Sequence, residues 1–349
     1  MSQTTVYEPL PIERLYLGPG VYLGLADELQ RLGVERALLV TGRTLSRGGL
    51  LTRVREAAGG RVASVFGEVA AHTPTTTVDA TIAAFKAAGA DGLVAFGGGS
   101  AVDCAKAVKY SLAATGARDK RLPIVDLATT LSGAEFACSF GQTDDATLVK
   151  LGGRDKSLTA NAIFLDPQLT AETPDWLWAA TGMRAIDHAT ETIMARNAIP
   201  YLDALASAAL EVFSRKLKLS LTGDEEPRRL CLEAAWMAHT GSYHIEWGLS
   251  HQMGRQLGPR FGIPHGFTSA ILLPAVVELE RPSKMTQEAC VAESLGVESG
   301  RAADALRRLV RDLGLPSSLV EAGITDRAAA DSLFAGNPAA VAVVDRAWQ

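Results

Sequence analysis

One segment constrains this chain more than any other: Gly92-Leu93-Val94-Ala95-Phe96-Gly97-Gly98-Gly99-Ser100-Ala101-Val102-Asp103-Cys104-Ala105-Lys106. Its apolar run reads as a buried strand. Three glycines then turn the chain, and apolar residues at Val102, Ala105, Val108 and Leu112 recur at helical spacing. A strand that enters a helix through glycine lets the backbone come close to a ligand. The first helical N–H groups point outward, and together with the helix dipole they favour a phosphate. A tight turn capped by Ser100 is the plainer alternative. The spacing matches neither the usual dinucleotide fingerprint nor the P-loop lysine motif.

The flanking pattern supports a ligand-binding turn. Strand-like segments at 14–17, 37–41, 62–66, 92–96, 123–127 and 162–165 alternate, over most of that span, with helix-like ones at 21–32, 50–58 and 76–88. Apolar strands alternating with helices predict a parallel sheet covered on both faces, with ligands beyond the carboxyl ends of its strands. After Asp166-Pro167 the texture changes to helix at 174–196, 202–219, 228–249, 268–280, 284–295 and 301–313, almost without strand signals. With 349 residues the chain can bury two cores. The expected organisation is an α/β domain over 1–167 and an all-α domain over 168–349, which the family resemblance given below makes dinucleotide-binding and catalytic.

Net charge is −5 and no Lys/Arg cluster stands out, which argues against a nucleic-acid or anionic-membrane partner. Any anion bound here must be held by a local site. Cys104, Cys138, Cys231 and Cys290 form no CxxC pair, as expected for reduced thiols in a cytoplasmic enzyme. Residues 1–11 carry no basic-then-apolar signal, and no apolar stretch approaches the roughly 20 residues of a membrane span. A soluble, cytoplasmic protein is expected.

Three histidine-bearing segments lie in the helical half. In Gly182-Met183-Arg184-Ala185-Ile186-Asp187-His188-Ala189-Thr190-Glu191, Arg184 and His188 stand one turn apart and share a face. In Gly248-Leu249-Ser250-His251-Gln252-Met253-Gly254-Arg255, His251 and Arg255 repeat that spacing. Phe261-Gly262-Ile263-Pro264-His265-Gly266 is a turn that feeds an apolar helix. A single histidine is more often a hydrogen-bonded core or surface residue than a ligand, and His72, His239 and His244 are read that way.

Jointly, these segments and the motif Gly-Gly-Gly-Ser-x-x-Asp-x-x-Lys resemble the iron-type (group III) alcohol dehydrogenase superfamily, whose fold dehydroquinate synthases share. In its metal-dependent members an aspartate and three histidines bind one iron or zinc. The resemblance places His188, His251 and His265 at three ligand positions, Arg184 at the aspartate's, and Arg255 at that of a later, non-ligand histidine. Exchanging the anionic ligand for a guanidinium should weaken metal binding strongly on electrostatic grounds. Asp187 is expected to point elsewhere, since adjacent helical residues stand about 100° apart. The site is therefore read as metal-free, with the Arg184 charge doing the ion's electrostatic work. Three histidines alone can hold zinc, which keeps a metal-dependent alcohol dehydrogenase or aldehyde reductase as the alternative. A dehydroquinate synthase-like cyclase, needing a metal and several cations for a substrate phosphate, ranks lower. A non-catalytic binding protein ranks last.

Thr129-Thr130-Leu131-Ser132-Gly133-Ala134-Glu135-Phe136, with Gln142-Thr143-Asp144 after it, resembles the maleylacetate reductase branch, which lacks the metal. Those enzymes reduce a dicarboxylate, maleylacetate, to 3-oxoadipate in aromatic-ring degradation, and two arginines suit such a dianionic substrate. This chain departs from the branch at Arg184, where asparagine is usual, and at Gly266. The resemblance also implies a homodimer and an NADH or NADPH cofactor. By the same pattern Gly97, Gly98, Gly99, Ser100 and Asp103 belong to the pyrophosphate turn. Thr129, Thr130 and Ser132 line the nicotinamide side, and Lys150 stands near the ribose. NAD-specific members often carry an aspartate after the second strand. Here the residues are Gly42 and Arg43, so NADPH should be accepted at least as well as NADH, unless Arg43 is simply a solvated loop residue.

Overall fold

The computed structural model describes residues 6–116, 121–147 and 149–349. Its strands, in chain order, are β1 (Arg14–Leu17), β2 (Ala37–Gly42), β3 (Val62–Val69), β4 (Gly92–Gly97), β5 (Ile124–Ala128), the antiparallel hairpin β6 (Ser139–Thr143) and β7 (Lys150–Arg154), and β8 (Ala162–Leu165). Six of them form one sheet in the order β1-β8-β5-β4-β2-β3, parallel at every pairing. Strands β4, β5 and β8 are buried along their whole length, which is why they read as continuous apolar runs rather than alternating ones.

The helices α1 (Leu25–Arg31), α2 (Arg43–Ser46) and α3 (Gly49–Ala57) precede α4 (Thr75–Ala87) and α5 (Gly99–Ala114). Leu25 and Leu29 of α1 and Val54 of α3 pack with Val94, Phe96 and Phe164 on one face of the sheet. On the other face Leu38, Leu93 and Ala95 meet Phe85 of α4 and Val102 and Val108 of α5. That second core runs without a break into α6 (Asp175–Met194) through Trp178, Met183 and Ile186. The site-bearing helix is thus seated against the dinucleotide half. Beyond α6 come α7 (Pro200–Lys216), α8 (Glu225–His239), α9 (Leu249–Phe261), α10 (His265–Glu280), α11 (Met285–Ser294), α12 (Ala302–Asp312), α13 (Arg327–Phe334) and α14 (Pro338–Ala347). Helices α9, α10 and α14 share a separate core of Met253, Leu257, Ile271, Leu272, Val343 and Val344.

Three expectations are corrected. The helix expected over 228–249 ends at His239, and residues 240–248 form a turn before α9 starts. Gly241 and Gly248 bracket that stretch, and Thr240-Gly241-Ser242 is poor helix material. The hairpin β6–β7 was not expected, because Gly141, Gly152 and Gly153 mask its alternation. Helices α13 and α14 were also missed, although their caps are legible. Asp326 accepts from the Ala329 N–H at 2.9 Å, and Asn337 accepts from the Ala340 N–H at 3.2 Å with Pro338 at the first helical position. Among the described residues no helix is long and apolar enough to cross a membrane. The four cysteines are free.

Candidate active site

The Gly-rich turn lies at the carboxyl end of β4, in the middle of the sheet. Gly97 adopts φ +153°, and a Cβ on Gly98 would come within 2.8 Å of the Thr130 side chain. Only glycine lets this turn approach the loop after β5. Helix α5 has Gly98 as its N-cap and no side-chain cap, so Ser100 does not cap it and the first-turn N–H groups are presented outward. These features, a cradle that a Cβ would fill above an uncapped 16-residue helix, fit a dinucleotide pyrophosphate.

The facing loop is held in place from three sides. The Thr129 carbonyl accepts from Thr173 Oγ1 at 2.8 Å, and the Leu131 N–H donates to Thr181 Oγ1 of α6 at 3.1 Å. Lys106, fully buried on α5, donates Nζ hydrogen bonds to the Ala134 and Ala137 carbonyls at 2.6 and 2.5 Å. Thr129 and Thr130 are buried and Ser132 half-buried, beside the turn. The Asp103 carboxyl is pushed up to about 6 by burial, with Lys106 and Lys150 acting against the rise. Lys150, on β7, lies with Asp103 beside Gly141. Burial lowers its pKa, and its electrostatic neighbours are Asp103 and Arg255.

At the neighbouring strand end, Gly42 closes β2 and Arg43 opens α2. No carboxylate follows β2 directly, but one approaches Arg43 from the next strand. Arg43 Nε lies 2.6 Å from Glu68 Oε2, contributed by β3.

The histidine segments converge. Arg184 and His188 share the inward face of α6, while His251 lies in the first turn of α9 and His265 opens α10. A Cβ on Gly266 would meet the Ala180 carbonyl oxygen at 2.3 Å, so the start of α10 can lie against α6 only with glycine there. Arg184 is nearly buried, its side chain 16% exposed. It donates only through Nη1, to Ser269 Oγ at 3.2 Å and Asp187 Oδ2 at 3.4 Å. Its Nε and Nη2 bond nothing else among the described residues.

Asp187 is the main correction. It points into the cluster, since it lies three residues after Arg184 and so nearly one full turn on. Its Oδ2 accepts from Ser269 Oγ at 2.6 Å and Ser250 Oγ at 3.0 Å, and stands 3.5 Å from His251 Nδ1. Glu191, whose role the sequence did not reveal, caps α9 from outside. Its Oε2 accepts from the Gly248 N–H at 2.9 Å and its Oε1 from the His251 N–H at 3.1 Å. Oε2 also stands 2.8 Å from His251 Nδ1.

His239, read as an ordinary histidine, belongs to the site: its Nδ1 lies 2.9 Å from His188 Nδ1. His72 stands with its ring 5.8 Å from that of His265, whereas His244 packs beside Tyr7, apart from the cluster. Trp247, which the sequence reading missed, stacks on His251 with ring centroids 3.9 Å apart. Arg255 is exposed at the mouth, near Lys150 and His265. Burial and then the Arg184 charge push His251 well below the usual histidine range. His265 falls to about 3 for the same two reasons, and His239 to about 3 through burial, Lys106 and Arg184. His188 is lowered by burial, His239 and Arg184. The site is therefore a guanidinium surrounded by neutral imidazoles.

The pattern of one carboxylate and three histidines is altered in this chain. The aspartate position carries a cation, and His188, His251 and His265 are not the metal-capable group that the structure assembles. Among the described residues that group is Asp187, Glu191 and His251, whose ligand atoms lie within 4.8 Å of one another. Three of its four carboxylate oxygens already accept N–H or O–H donors, leaving Asp187 Oδ1 without one.

A phosphate-accepting turn beside a shielded set of charge- and proton-handling groups defines a class of protein, the nicotinamide-dependent oxidoreductases. Residues 12–167 match the model of iron-containing alcohol dehydrogenase, and residues 178–342 match the C-terminal model of that family. A maleylacetate reductase of Sphingobium indicum is 32% identical over 337 residues, 95% of this chain and 91% of that protein. A lactaldehyde reductase of Escherichia coli is 30% identical over 336 residues, 89% of this chain and 88% of that protein. The crystal structure of maleylacetate reductase from Rhizobium sp. strain MTP-10005 matches with TM-score 0.87 at 29% identity, covering 99% of this chain and 98% of that one. The chain belongs to the iron-containing alcohol dehydrogenase family and is an NAD(P)-dependent oxidoreductase.

Proposed function

We propose that this enzyme reduces a small carboxylated substrate of the maleylacetate type, with Arg184 in place of a metal ion. The observation that carries the proposal is the nearly buried guanidinium tied down through Nη1 alone, with Nε and Nη2 left to face a ligand. A bound reduced nicotinamide supplies hydride. When hydride adds to a C=C bond conjugated with a ketone, the displaced electron pair moves to the ketone oxygen, and Arg184 is placed to hold that charge in a site shielded from water. His251 is placed for proton delivery: Glu191 accepts from its backbone N–H and stands 2.8 Å from Nδ1, and neither ring nitrogen has a hydrogen-bond partner among the described residues. Arg255, exposed near His265, suits a substrate carboxylate.

Replacing Arg255 with alanine should raise KM by about tenfold and leave kcat nearly unchanged, as loss of ground-state binding does. A substrate titration checks it, and a fall in kcat of similar size would place Arg255 in the chemical step instead.

The reading is tested by metal analysis of the purified protein, together with NADH and NADPH oxidation assays on maleylacetate and on lactaldehyde. Maleylacetate turnover that survives EDTA, without stoichiometric metal, is the expected result. Stoichiometric iron or zinc, with activity lost to EDTA and restored by the ion, would overturn it. The second reading, a metal-dependent aldehyde reductase, has one observation in its favour, the group Asp187, Glu191 and His251. Turnover of lactaldehyde in preference to maleylacetate would support it.

A further inference from the structure

The reading above leaves unexplained an ion pair at the edge of the cofactor crevice. Strand β2 pairs with β4 up to Thr41 opposite Phe96, one residue before the Gly-rich turn begins. It pairs on its other side with β3, where Gly42 stands opposite Val69. The residues that follow β2 and end β3 are therefore next to the place where a dinucleotide on that turn extends its adenosine half. Arg43 and Glu68 occupy those two positions, 2.6 Å apart, with side chains 68% and 55% exposed.

An exposed pair of this kind adds little to stability. Its two ends nevertheless match the two forms that the cofactor's 2′ position can take. A guanidinium binds a 2′-phosphate, and a carboxylate accepts from a 2′-hydroxyl while repelling a phosphate. No aspartate stands directly after β2 to exclude the phosphate, since that position is Gly42.

We propose that Glu68 is a specificity-determining residue for the cofactor: it holds Arg43 when no 2′-phosphate is present, serves the 2′-hydroxyl of NADH, and yields Arg43 to the 2′-phosphate of NADPH. This inference rests on the dinucleotide-binding reading of the site and adds the element that lets one crevice take both cofactors. Arg43 gains a phosphate only by giving up its carboxylate partner, so Glu68 works against NADPH both by competition and by direct repulsion. Removing the Glu68 charge frees the guanidinium and deprives the ribose hydroxyl of an acceptor.

The test is direct binding, read as the quenching of protein fluorescence on titration with NADPH and with NADH, for the wild type, Glu68→Gln and Arg43→Ala. Glu68→Gln should lower the Kd for NADPH by about three- to tenfold and leave that for NADH unchanged or weaker, the range expected for releasing one exposed charge pair. Arg43→Ala should weaken NADPH by about tenfold with little change for NADH, and both effects should shrink as salt is raised. If the wild type binds both dinucleotides and Glu68→Gln leaves their ratio unmoved, the inference is wrong and the reading of the turn stands. If the wild type binds neither, the dinucleotide reading fails and the inference fails with it.

Discussion

Arg184→Ala is expected to lower turnover by about two to three orders of magnitude, equivalent to about 2.7–4 kcal/mol of lost transition-state stabilisation. The size follows from surroundings rather than from charge alone. The guanidinium lies in a nearly closed site, and Asp187, its nearest counter-charge, is engaged on Oδ2 by two serine hydroxyls as well as by Nη1. A charge held this way needs little reorganisation as the substrate oxygen becomes negative. Arg184→Lys should recover part of the rate, because a point charge restores the sign but not the fork of donors. Near-normal turnover in Arg184→Ala would defeat the mechanism. So would an Arg184→Asp enzyme that gains a metal and runs as fast as the parent on the same substrate.

His251→Ala is expected to cost turnover about as much, again roughly two to three orders of magnitude, as for loss of an acid–base group. Burial and then the Arg184 charge push this imidazole well below the usual histidine range, and on the proposed reading it passes a proton rather than standing as a cation. Glu191 is its immediate partner, and burial together with the Asp187 charge raises the pKa of that carboxyl. On the proposed reading Glu191, whose Oε2 stands 2.8 Å from Nδ1, is the carboxyl nearest the ring for exchanging a proton with it. Dinucleotide binding by His251→Ala should change far less than turnover, since the pyrophosphate is held by the backbone of the Gly-rich turn. Steady-state turnover and fluorescence titration on the same preparation separate the two effects. An unaffected kcat would remove His251 from the chemistry.

Features encoded by short-range pattern were legible in the sequence. The strand, the glycines at 97–99 and the following helix are adjacent in the chain, and the pairs Arg184 with His188 and His251 with Arg255 declare themselves by helical spacing. What escaped is what the fold brings together across long separations. His188 and His239 meet across 51 residues, Glu191 reaches Gly248 and His251 across 57 and 60, and Arg43 meets Glu68 across 25. Trp247 lies in a turn whose existence depended on ending α8 at His239. Asp187 failed for a different reason. The expectation takes it as one residue, about 100°, from the position of Arg184, whereas it stands three residues on, nearly a full turn.

The contact between Gly266 and the Ala180 carbonyl has a consequence for how such a site can be retuned. It acts as a spacer between the helix that carries the charge and the helix that begins with His265. Any larger residue at 266 must push α10 away from α6, and with it His265 away from Arg184, changing the width of the substrate compartment without touching a group that does chemistry. Position 266 thus sets a dimension of the site, and a one-residue change there would shift which chain length of substrate fits while the reacting groups stay the same.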